Sequence, residues 1–264
     1  MLSSPLSNPA GEQREGAMES LETEVRGLSS LLDPAAAGPP LIAILPHNTA
    51  EYALAAEVAG ADAIVLGIDK TESMFPGLFG SFDLQEDSIA SIISTSSIPV
   101  GISIGDSRPL TRENWERIVG KKFSFVNMYA HHMPPFVLRD ARMQKLVTIG
   151  PGYMVEQIRN LSEMDGVTAL EAAIVSVQGM NHVFSVLDLA TLRMIAKLSA
   201  KPVILRTQKR IEVEDMETLF DAGLRGISLD PSSMEPGAEA YRDAVCNFRM
   251  RRGQEAPREE PVQR

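Results

Sequence analysis

Residues 201–231 read KPVILRTQKRIEVEDMETLFDAGLRGISLDP, and this stretch divides into strand, turn, helix and strand. Pro202 ends what precedes it, and the apolar run from Val203 to Leu205 has the β-branched character of a buried strand. The helix that follows stops at Ala222-Gly223, where a glycine can take the left-handed conformation of a helix C-terminus. A second apolar run then ends at Leu229-Asp230-Pro231. Between the first strand and the helix lies Arg206-Thr207-Gln208-Lys209-Arg210, a basic turn with no glycine.

The same unit recurs upstream. AEVAGADAIVLGI (56–68) matches LFDAGLRGISLDP (219–231) as helix, Ala-Gly, two residues, a small residue and strand. SIPVGISIGD (97–106) matches AKPVILRTQ (200–208), with proline ending one element and valine starting the next. LIAILPH (41–47), DAIVLGID (62–69), FSFVNM (123–128), KLVTI (145–149) and 225–230 supply further strands. A sixth falls within GVTALEAAIVS (166–176), where Thr168 to Glu171 also fits a helix-initiating capping box. Eight buried strands alternating with helices predict an α/β fold with a parallel sheet closed into a single-domain (β/α)8 TIM barrel. An open doubly wound sheet is the alternative.

The barrel is expected over residues 41–250. Residues 1–40 read as a flexible extension with a short helix in 18–33, where Leu21, Val25, Leu28 and Leu32 have helical spacing. Residues 251–264 are charged and proline-containing, and read as a disordered tail. A net charge of −10 argues against nucleic acid or an anionic membrane surface as partner. No apolar run reaches the roughly 18 residues of a membrane span, and the first 16 residues lack the pattern of a secretory signal, so the cytoplasm is the expected compartment. The single cysteine, Cys246, rules out an intramolecular disulfide and reads as a packing residue.

The order of elements, the Ala-Gly helix ends and the final AGLRGISLDP resemble the phosphate-binding group of small TIM barrels. That group includes epimerases, aldolases and synthases of phosphorylated metabolites. GADAIVLGIDK with PVGISIGD is loosely similar to the small barrel synthases that make furan phosphates in methanogens. The resemblance covers most of 41–235 as architecture and contains no family-specific signature. It implies a small anionic metabolite, with phosphorylated ones among the candidates, as ligand, and lyase, synthase or isomerase chemistry. The glycine pair that the group carries after its seventh strand is absent here.

In such a barrel the site lies at the C-terminal ends of the strands. All four histidines fall on the loops placed there, with His131 and His182 as candidate acid/base groups and His47 as a candidate substrate contact. Lys70, directly after an apolar strand, is the candidate nucleophile or electrostatic stabiliser, and its neighbour Asp69 a group to orient or protonate. Asp106 and Asp230 are strand-end carboxylates suited to proton abstraction, or else turn-capping residues. Glu171 joins them only if its segment is an inward-facing strand. Side chains can bind an anion as backbone amides do, so Arg206, Gln208 and Lys209 form the expected clamp. Lys209 and Arg210 have acidic neighbours at Glu212, Glu214 and Asp215 as competing partners.

GPGYMVEQ (150–157) is a second anion candidate, because Gly150 and Gly152 leave amides exposed at a helix start. MYAHHMPPFVL (128–138) and KTESMFPGLFGSF (70–82) are long connections suited to a lid, a pocket wall or a subunit contact. No metal motif is spaced for ligation, and no cofactor is expected. A homo-oligomer is compatible with these loops. A barrel that binds a ligand or partner without turnover is the competing reading of the same features.

Overall fold

The computed structural model describes residues 27–36, 38–70, 79–180, 182–234 and 237–252. Eight parallel strands close into a barrel in chain order: β1 (Leu41–Ile44), β2 (Ala63–Ile68), β3 (Val100–Ile104), β4 (Phe125–Tyr129), β5 (Gln144–Ile149), β6 (Ala169–Ala172), β7 (Val203–Arg206) and β8 (Gly226–Leu229). Strand β1 pairs with β2 on one side and β8 on the other, so the sheet has no open edge. The open doubly wound alternative is thereby set aside. Of the segment with two readings, Ala169 to Glu171 belong to strand β6, and Thr168 stands just before it.

A short helix α1 (Leu28–Leu31) precedes the barrel. Helices α2 (Ala50–Val58), α3 (Phe82–Thr95), α4 (Arg112–Val119), α5 (Pro135–Arg139), α6 (Val155–Glu163), α7 (Val186–Leu198), α8 (Met216–Asp221) and α9 (Ala238–Arg252) follow the strands in turn. The matched Ala-Gly pairs end α2 and α8, with Gly60 at φ +92° and Gly223 at φ +104°, a conformation in which a Cβ is penalised. Of the helix predicted in 18–33, the described part is α1; residues 18–26 and 253–264 lie outside the described residues.

Alternate strand residues face outward and inward. The outward set, with Ile64, Leu66, Ile102, Val126 and Leu205, buries against helix residues such as Ile89, Trp115, Ile195 and Val245. The lower inward set is a separate apolar cluster of Ile42, Ile44, Ala63, Val65, Phe125, Leu146, Ala169 and Ile204, closed from below by Leu28 and Leu32 of the α1 segment. Ser29 N donates to Gln144 Oε1 at 2.9 Å, which holds α1 beneath β5. Gly101 makes room for the Phe125 ring, since a Cβ there would lie 2.5 Å from it.

Candidate active site at the carboxyl mouth

One rung above the apolar cluster, the interior changes chemistry. Register places Ser103 opposite Asn127, Thr148 opposite Glu171 and Arg206 opposite Ser228. All six are buried. A barrel interior is ordinarily filled by branched apolar side chains, so a layer of six polar ones needs a complete set of partners. Asn127 supplies many of them. Its Oδ1 accepts from Ser103 Oγ at 3.0 Å and from an Arg206 terminal nitrogen at 3.0 Å. Its Nδ2 donates to Thr148 Oγ1 and to Glu171 Oε2, both at 2.9 Å. Thr148 Oγ1 donates to the same carboxylate oxygen at 2.8 Å.

The charged members of the layer are Glu171 and Arg206, with Arg206 Nη2 2.8 Å from Glu171 Oε2. Burial by itself would push the Glu171 carboxyl up, but the Arg206 charge and the Asn127 and Thr148 hydrogen bonds carry it below its ordinary value. Burial likewise disfavours the guanidinium, and Glu171 and Asp230 outweigh it, so Arg206 is held cationic. The guanidinium is not fully used. Arg206 Nε is buried without a hydrogen-bond partner among the described residues. Asp230 Oδ2 lies 3.9 Å from it, beyond hydrogen-bond reach.

Above this layer the loops supply the mouth. Arg206 lies over the Tyr129 ring at 5.9 Å. Tyr129 borders both histidines of the loop after β4, with ring centroids 5.3 Å from His131 and 6.1 Å from His132. His132 Nε2 is 3.8 Å from Asp106 Oδ2 of the loop after β3. His131 is exposed, and its Nδ1 shares a hydrogen bond with Tyr153 Oη. Burial pushes the Tyr153 phenol up. Asp230 Oδ1 accepts from Ser232 N at 2.9 Å, so this carboxylate both caps a turn and faces Arg206. Gly150 is buried beside this cluster, its missing Cβ 3.5 Å from Tyr129 and 3.8 Å from Tyr153.

The other predicted residues have contacts of their own. The Gln208 amide accepts from Val175 N at 3.0 Å and donates to Val175 O at 3.3 Å, prolonging β7 along the β6 connection. Asn48 does the same for β1, bonding both Gly67 O and Gly67 N of β2. Lys209 Nζ pairs at 2.7 Å with Asp188 of α7, and Arg210 pairs with Glu212 at 3.1 Å. The basic turn therefore directs a single cation, Arg206, into the barrel. His47 stacks on Tyr52 of α2 at 5.3 Å, and His182 is exposed on the connection after β6, bonded through its backbone to Arg210 N. Lys70 Nζ lies 5.3 Å over the Phe79 ring. Gly152 takes φ +85° on the exposed turn before α6, where Gln157 Oε1 accepts from Met154 N at 3.0 Å and thereby occupies one helix-start amide. Most of the 70–82 connection lies outside the described residues. Among the described residues, no group of three or more His, Cys, Asp or Glu is placed to hold a metal ion.

Asn127 and Tyr129 stand among the polar residues at an expected strand end, whereas Ser103 and Thr148 carry no such signal. Period-two counting from Ile204 and Arg206 would have found such residues only once strand register was known. Glu171 was legible as a conditional member, and the condition is met.

No protein-family model matches this sequence, and no curated protein is similar to it in sequence. Solved structures match throughout the barrel. A variant of the tryptophan synthase alpha-subunit of Pyrococcus furiosus is 17% identical, with a TM-score of 0.60 over 80% of this chain and 98% of that one. The YdjI aldolase of Escherichia coli K12 is 13% identical, with a TM-score of 0.56 over 87% and 97% of the two chains. Thiamine phosphate pyrophosphorylase of Pyrococcus furiosus is 17% identical, with a TM-score of 0.52 over 80% and 94%. With these three enzymes the chain shares the closed, single-domain (β/α)8 TIM barrel.

Proposed function

We propose that the chain is an enzyme acting on a small anionic metabolite, phosphorylated or carboxylated, by lyase, synthase or isomerase chemistry at the carboxyl mouth. The observation that carries this reading is the buried Arg206, whose Nε faces Asp230 with its hydrogen-bonding capacity unspent. A desolvated ion pair inside a barrel is weak support for stability, and its position at the strand ends is where this fold binds ligands. The names of the structural neighbours, a synthase subunit, an aldolase and a pyrophosphorylase, agree with it.

In this scheme Arg206 contacts the anionic or carbonyl oxygen of the substrate. Asp230, Asp106, His131 and His132 exchange protons at the mouth, with His182 approaching from the loop after β6. Lys70 serves as nucleophile or electrostatic stabiliser. Lys209, already paired with Asp188, adds to the field without touching the ligand.

The test is a thermal-shift screen of phosphorylated and carboxylated metabolites against the wild type and Arg206→Lys, with circular dichroism to confirm that the variant folds. A ligand that stabilises the wild type and not Arg206→Lys supports the site. Borohydride trapping of a carbonyl ligand on the wild type but not on Lys70→Ala supports a Schiff base, and unchanged turnover in Lys70→Ala removes Lys70 from the chemistry. Binding without turnover of any ligand would favour a non-catalytic barrel, a reading supported by the internal engagement of Gln208, Lys209 and Arg210.

A further inference from the structure

Asp69, at the end of β2, is the only non-glycine residue with positive φ among the described residues, at +50°. A carboxylate residue in the left-handed region is strained unless its surroundings fix it there. Here they do. Asp69 N donates to Gly80 O at 3.0 Å, and Asp69 O accepts from Ser107 N at 2.9 Å. Gly105 passes so close that a Cβ on it would stand 2.2 Å from Asp69 O. Two segments, at Gly80 and at Gly105–Ser107, thus hold one unfavourable backbone conformation, and the consequence is the placement of a carboxyl group.

One oxygen of that carboxyl group is left unsatisfied. Its side chain is 15% exposed, and Oδ1 is buried without a hydrogen-bond partner among the described residues. Among the described residues, the charged groups acting on it are Arg108 of the loop after β3, whose Nε is 3.8 Å away on a side chain 64% exposed, and Asp83 of α3. Burial pushes the Asp69 carboxyl above its ordinary value, with Arg108 and the Ser107 hydroxyl opposing and Asp83 reinforcing. Asp69 directly follows the carboxyl end of β2, the end of the strands at which this fold places its sites.

We infer that Asp69 is a catalytic base of the site proposed above. The inference rests on that reading for its substrate. Asp69 takes a proton from a substrate carbon beside a carbonyl. The C–H bond breaks, an O–H bond forms on Asp69, and the electron pair moves onto the carbonyl oxygen. The other aspartates are less suited: Asp230 is engaged by Ser232 N and faces Arg206, and Asp106 is exposed to water. A group kept strained and desolvated against the stability of the fold is a mark of function.

Two arms test this. Asp69→Asn keeps the shape and the tolerance for positive φ while removing the charge. Because the folded-state carboxyl titrates above its unfolded value, the ionised form weakens the wild type at neutral pH, and that cost fades as the pH falls. Asp69→Asn should therefore melt higher than the wild type at pH 7, and the gain should shrink as the pH falls towards the unfolded carboxyl value of about 3.9. A variant that melts lower at pH 7, or a gain independent of pH, overturns the inference, because the charge would then be structural or irrelevant.

The second arm uses any carbonyl metabolite that stabilises the wild type. In deuterium oxide the wild type should exchange the hydrogen beside the carbonyl, and Asp69→Asn should still bind while exchanging about 10²–10⁴-fold more slowly. Exchange at the wild-type rate refutes Asp69 and leaves the site reading standing. If the wild type binds no metabolite, the site reading fails and with it the role given to Asp69, whereas the melting arm separately reports whether its charge is strained.

Discussion

The lower and upper halves of the barrel interior are built by the same strands, one rung apart, and they obey different rules. Below, Phe125, Leu146, Ala169 and Ile204 form an apolar plug packed against Leu28 and Leu32. Two residues further along the same strands stand Asn127, Thr148, Glu171 and Arg206. The plug stabilises by removing apolar surface from water, about 25 cal/mol for each Å². The polar layer gains little net free energy, because each hydrogen bond replaces one to water and each charge must be desolvated. The barrel therefore separates the residues that hold it together from those that present chemistry, and substitutions in the two halves should fail in different ways.

The largest effects should come from halving the ion pair. Arg206→Ala leaves Glu171 buried and uncompensated, and should cost about 3–5 kcal/mol in urea unfolding. Replacing both partners, Glu171→Leu with Arg206→Met, should recover most of that loss while abolishing the response to any ligand of the site. If the double variant is as unstable as the single one, the pair is structural and the contrast between the halves collapses.

In the lower half Phe125→Ala should cost a comparable ~3–5 kcal/mol, but ligand binding should persist at temperatures where the variant remains folded. Gly101→Ala should cost about 1–3 kcal/mol, because the new methyl meets the Phe125 ring. Gly101→Ala combined with Phe125→Leu should be milder than the sum of the two, since the smaller side chain vacates the clash.

Acid titration gives a smaller effect, confined to the upper half. The Glu171 carboxyl lies below its ordinary value in the folded state, so its contribution is present above the unfolded value of about 4.3 and is lost as the pH falls through the folded one. Unfolding free energy measured against pH should show a shallower acid limb for Glu171→Gln than for the wild type. The smallest effect belongs to Lys209→Met. Its partly exposed pair with Asp188 should be worth about 1 kcal/mol or less, and ligand-induced stabilisation should survive, in contrast to Arg206→Lys.

Much of the barrel was legible in residues 201–231 and their echoes, because buried parallel strands and glycine-ended helices are local patterns. The site was legible more unevenly. Arg206 could be placed at the mouth from strand alternation, and Asp230 from its strand-end position. Gln208 and Lys209 belong to the same turn, yet Gln208 bonds Val175 and Lys209 bonds Asp188. Their partners are 33 and 21 residues distant in the chain, and nothing in the turn announces them. Asp69 shared the suspicion attached to Lys70, but its positive φ depends on Gly80, Gly105 and Ser107 closing around it.

The sequence by itself determined the period of the chain: which segments are apolar enough to be buried on both faces, where glycine ends a helix, and that one basic turn interrupts an acidic protein. Tertiary structure decided which of those basic residues keeps an inward role, that Glu171 is a strand residue, and that Asn127 and Thr148 are its partners. Periodicity is a property of neighbours along the chain. Neutralising a buried charge depends on neighbours across the barrel, and they are fixed only when the eight strands close in one register.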